Sequence, residues 1–140
     1  MVHALHEAQR VLQPNGILID LRPAPVHRRV RIQSDAGYQQ LGVMREVLDD
    51  DYAANRAVKQ ILNEGLFKPE WRIEFNCNRV MDTFKEFQLW LMDFVDRARI
   101  PPQEWLLKRV ARAYHAAPGK KKIIVSAPLI LRTLRKSEGC

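Results

Sequence analysis

A carboxylate, a guanidinium and an imidazole stand close together at Asp20, Arg22 and His27, where the short apolar run Ile17–Leu21 ends. Each suits a different task. A carboxylate can orient a polar substrate or act as a base, a guanidinium can pair with a carboxylate or phosphate, and an imidazole can move a proton near neutral pH. Their position adds to the case, because open α/β sheets bind ligands just beyond the ends of their strands. The same residues also have an internal explanation, with Asp20 paired to Arg22 or another nearby cation and His27 simply in solvent.

Other reactive side chains are less well placed. His3 and His6 share one face of a helical stretch, but beyond Glu7 no third ligand is near, so an exposed pair is expected and no metal site. Cys77 falls with Trp71, Ile73 and Phe75 on the apolar side of an alternating run, which predicts a buried, inert thiol. With Cys140 it makes neither a disulfide framework nor a metal cluster, and free thiols imply a cytoplasmic protein. Asn76 and Asn78 face water on the polar side of that run. Phe84, Phe87, Trp90, Phe94 and Trp105 could wall a pocket, although aromatics at helical spacing more often form core. No nucleophile elbow, P-loop or HExxH pattern is present.

The elements that must position these groups follow from periodicity. Val2, Leu5, Ala8, Val11 and Leu12 recur at helical spacing, so residues 1–12 read as an amphipathic helix. No capping residue precedes it, and the pattern looks cut at its start. Pro14-Asn15-Gly16 ends this helix, with Gly16 available for the positive φ of a turn. Ile17–Leu21 is nearly all apolar, as expected of a strand buried on both faces. Residues 28–33 and 38–44 predict a hairpin around Ser34-Asp35-Ala36-Gly37. Acids from Asp50 and an apolar stripe ending at Gly65 predict a helix of the expected polarity. Residues 71–77 alternate as a strand. Thr83 and Glu86 match a capping box opening a helix, Pro101-Pro102 opens another to about Ala116, and a last strand runs from Lys122 to about Thr133 with Pro128 marking a local break.

Composition sets limits. The chain has 140 residues, enough for a single domain over 1–140, with 46% hydrophobic and 28% charged residues, the balance of a globular protein. Its apolar runs fall far short of the ~20 residues a membrane span needs, and Met1 leads straight into His3, His6, Glu7 and Arg10, so neither a membrane segment nor a secretory leader is expected. A net charge of +7 invites a nucleic-acid partner. The basic residues are scattered, however: Arg22 to Arg31, Arg97 to Arg112, and Lys120 to Lys136. Such runs are usually solvated faces, so nucleic acid is not the favoured partner.

The stretch Leu5-His6-Glu7-Ala8-Gln9-Arg10-Val11-Leu12-Gln13-Pro14-Asn15-Gly16-Ile17-Leu18-Ile19-Asp20 resembles the segment of class I S-adenosylmethionine-dependent methyltransferases in which a helix leads through a tight turn into the fifth strand. Asn15 stands where that family usually has glycine, and asparagine tolerates left-handed geometry. Gly65-Leu66-Phe67 before a strand, and the apolar final strand, resemble the family's last helix and closing antiparallel hairpin. The resemblance implies an α/β fold, a small mixed sheet flanked by helices like the carboxy-terminal half of a Rossmann-like methyltransferase, with insertions near 34–50 and 83–117. It also implies that Asp20, Arg22 and His27 line a substrate pocket. The family binds its cofactor over a glycine-rich loop, and none of the six glycines here forms a G-x-G, so no cofactor-binding residue is assigned and S-adenosylmethionine enters by resemblance alone. In the full fold the fifth strand pairs with a fourth that is missing here. The expected remedy is a homodimer, or a separate chain supplying the cofactor-binding half. The alternative is a non-catalytic interaction module whose basic surface binds an acidic partner or nucleic acid.

Overall fold

The computed structural model describes residues 1–138, and Cys140 lies outside them. The chain forms helices α1 (Val2–Val11), α2 (Asp49–Asn63), α3 (Phe84–Ala98) and α4 (Glu104–Ala116). Its strands are β1 (Ile17–Pro23), β2 (Arg29–Ser34), β3 (Gly37–Val43), β4 (Phe67–Met81) and β5 (Lys122–Lys136). Contacts divide it into two compact units, the first being Met1–Val26, Leu48–Phe75 and the chain from Pro128, the second His27–Val47 with Asn76–Ala127. The two long strands β4 and β5 contribute residues to both.

In the first unit β1 runs antiparallel to the distal part of β5, Asp20 opposite Arg132 and Leu18 opposite Leu134. Opposed residues of an antiparallel pair share a face. On one face Leu134 joins Leu5 of α1, Ala57, Val58 and Ile61 of α2, and Phe67 of β4 in a buried core. The turn into β1 corrects the expectation at its glycine. Asn15 takes the left-handed conformation, φ 62°, whereas Gly16 is needed for room: a Cβ there would stand 2.8 Å from the Gln13 carbonyl oxygen. The end of β5 holds this turn. Lys136 donates from its backbone to Gly16 O and from Nζ to Leu12 O, the C-cap of α1, and Arg135 donates to Asn15 O in the turn.

In the second unit β2 pairs antiparallel with β3 and with the proximal part of β5. The hairpin turns on Asp35-Ala36, and its register shifts beyond Val30, where Gly42 adopts φ 135°. Val30 lies opposite Val125 and Ile32 opposite Ile123. That apolar face packs with Phe87 and Leu91 of α3 and with Leu106 and Val110 of α4. Thr83 caps α3 by accepting from the Glu86 N–H at 3.1 Å, while the Glu86 carboxylate accepts from Asp82 N. Gln103, buried before α4, accepts from Arg45 N and donates to Arg45 O and Pro101 O, which pairs both its N–H groups and its carbonyl oxygen.

The fold is therefore α/β with helices on a small sheet, but that sheet is antiparallel, not mixed. A mixed sheet would need β1 beside β4, joined through α2. Instead β5 pairs with β1 and also with β4, running against its neighbours. Pro128 lacks an N–H and falls between the β5 residues paired with β2 and those paired with β1. Its carbonyl accepts from Ala24 N. Burial departs from expectation in two strands of the sequence pattern. β1 exposes alternate residues, and β4 is exposed from Lys68 through Val80, Cys77 included. An alternating pattern states which face prefers burial, but burial requires a covering layer, and among the described residues Trp71, Ile73 and Phe75 of β4 stay exposed.

Candidate functional site

Asp20 and Arg22 sit two residues apart on β1, so their side chains leave the same face, and the register places Arg132 of β5 directly opposite Asp20. The side chains of Asp20, Arg22 and Arg132 keep only 10%, 9% and 14% of their accessible surface. Arg22 donates from Nε to both carboxylate oxygens, at 3.2 and 3.0 Å. Arg132 Nε approaches Asp20 Oδ2 to 3.2 Å, an ion-pair distance without hydrogen-bond alignment. One carboxylate thus faces two guanidinium groups. Both terminal nitrogens of Arg22 are buried without a hydrogen-bond partner among the described residues.

Burial, and then repulsion by Arg22, push the Arg132 guanidinium below its ordinary range, with Asp20 opposing the shift. A guanidinium remains charged at working pH, so the cluster carries excess positive charge in a poorly solvated place. Such an arrangement suits a ligand that brings a carboxylate or phosphate, since an anion would pair the orphaned N–H groups. Sequence reasoning found Asp20 and Arg22 but missed Arg132. Its only signal was a cation within an apolar strand, and its partner depended on a register between residues far apart in the chain.

His27 belongs to the second unit. There its Nδ1 accepts a hydrogen bond from Glu46 N at 3.2 Å, and Glu46 also accepts from Arg28 N and pairs with the Arg28 guanidinium. Its imidazole therefore fixes the entry to the loop after β3, and only its other nitrogen is available for proton transfer. His6 Nε2 lies 2.9 Å from Glu64 Oε2, joining α1 to the end of α2. Among the described residues no group of three or more His, Cys, Asp or Glu side chains comes together. Nor is any of their helices long and apolar enough to cross a membrane.

The residues present do not fit S-adenosylmethionine. A glycine-rich strand-to-helix loop is what lets that family's backbone approach the cofactor. Here the segments linking β3 to α2 and β4 to α3 contain no glycine, and Gly37 and Gly42 lie within a hairpin. Compared with protein-family models, curated proteins and solved structures, the chain matches none.

Proposed function

We propose that this chain is the substrate-side part of a methyltransferase-like fold that works against a second polypeptide, either another copy of itself or a chain carrying the glycine-rich half. One observation carries the reading. Ile17, Ile19 and Leu21 of β1 remain 45%, 66% and 57% exposed, although the strand has the nearly all-apolar composition of one covered on both faces. β1 is also an edge strand, paired with β5 alone among the described residues, so its other side presents open backbone groups. An apolar edge of this kind is an association surface. A second copy is the simpler occupant, because it requires no other gene product.

With the β2–β3 hairpin and helices α3 and α4 set aside, the chain order supports the same reading: helix, left-handed turn at Asn15, strand, helix, strand and a closing antiparallel strand. Within it, the Asp20, Arg22 and Arg132 cluster would hold the acidic part of a methyl acceptor. Calorimetry tests the missing half directly. Adenosylmethionine titrated into the isolated chain should give no binding heat, and saturable binding would show a complete cofactor site and overturn the proposal.

A further inference from the structure

The second unit contains a cavity of about 760 Å³, open to solvent, which the reading above leaves unused. Its walls combine cations with an aromatic platform. Trp90 and Phe94, one turn apart on α3, stack with centroids 5.5 Å apart at 29°. Arg28 lies 4.6 Å over Phe94, and Arg79 lies 5.8 Å from the Trp90 centroid. The cations differ in commitment. Arg28 is paired with Glu46, and Arg97 is paired with Asp93 on its own helix. Arg79, on exposed β4, has no carboxylate partner among the described residues and only a loose approach to the indole. Beside it Asn78 accepts from the buried Ser126 hydroxyl at 2.7 Å, which fixes its amide and leaves Nδ2 to donate.

We infer that this cavity binds a purine 5′-mononucleotide, with the base against Trp90 and the phosphate on Arg79. A planar base gains about 1–3 kcal/mol from stacking on an aromatic side chain. A guanidinium without a carboxylate partner is the natural mate of a phosphate. Arg79 lies loosely over the indole face, 5.8 Å from its centroid. When the base takes that face, the guanidinium swings to the phosphate, so one residue serves both states. Asn78 Nδ2 donates to the ligand while its oxygen stays on Ser126. Arg28, held by Glu46 and Phe94, gives a fixed wall whose charge Glu46 already balances. The cavity volume lies within the range of small-molecule sites, which favours a mononucleotide over an extended strand.

The inference is independent of the methyltransferase reading and is tested on the same full chain. Cys77 lines the cavity and is exposed, so its reaction with a thiol reagent reports occupancy once Cys140→Ser has removed the other thiol. Guanosine or adenosine 5′-monophosphate should slow the reaction saturably at submillimolar concentration. Inorganic phosphate, and the nucleoside without phosphate, should each need at least tenfold more. Arg79→Ala should weaken protection at least tenfold with its circular dichroism unchanged, and Arg79→Lys should restore part of it. The proposal is overturned by no protection by either nucleotide, by equal protection by phosphate alone, or by full protection in Arg79→Ala. A single-stranded oligonucleotide that protects far better than the mononucleotide, increasingly with length, would overturn it in favour of a nucleic-acid groove.

Discussion

Single residues decide the turn that enters β1. Asn15 carries the strained φ, and Gly16 carries the close approach to Gln13 O. Asn15→Ala should cost about 1 kcal/mol in chemical denaturation, whereas Asn15→Gly should be close to neutral. Gly16→Ala should cost about 1–3 kcal/mol, because the obstacle is a backbone carbonyl that cannot swing aside. The buried charge cluster makes a sharper forecast. Asp20→Asn would leave Arg22 and Arg132 without their counter-charge and should cost about 3 kcal/mol. Arg132→Met restores a one-to-one pair and should be neutral or stabilising in the same denaturation experiment. The Pro14-Asn15-Gly16 turn was legible because turn chemistry is local. Its division of labour was not, because both residues tolerate left-handed geometry and only the path of Gln13 chooses between them. Arg132 and the Gln103 amide were illegible for the opposite reason. Their partners, Asp20 and Arg45, are distant in sequence, and no local pattern marks them.

At the scale of elements, period and capping located every helix and both strands of the hairpin, since α3 begins at its Thr83 cap and β2 and β3 flank the expected turn. The ends of β4 and β5 escaped. Lys68, Pro69 and Glu70 show no apolar alternation, yet β4 begins before them at the buried Phe67. The exposed faces of β1 and β4 escaped too, because a pattern reports a preference for burial and not the presence of a covering layer. This distinction predicts unequal mutational costs. Leu134→Ala, in the first core, should lose about 2–5 kcal/mol, while Ile19→Ala should stay within about 0.5 kcal/mol when measured on dilute monomer. Ile19→Ala should nevertheless weaken self-association. A loss at Ile19 as large as that at Leu134 under dilution would mean that β1 is buried in a way the structure does not show.

For the whole molecule, each unit has its own buried core, and the outer surface of β1, like the apolar face of β4, remains exposed. The net charge of +7 acts against association of two copies, through mutual repulsion. Salt screens that repulsion and leaves apolar burial intact, so self-association should strengthen from low to moderate ionic strength. A polyanion complex held by phosphate contacts would weaken steeply over the same range. Sedimentation velocity at micromolar chain concentration therefore addresses the central claim, that β1 is completed by a second polypeptide, most directly. The prediction is a dimer for the natural sequence, and a folded monomer for Ile19→Lys, which sets a charge in the middle of the exposed face of β1. A natural chain that sediments as a well-folded monomer, indistinguishable from Ile19→Lys, would contradict it.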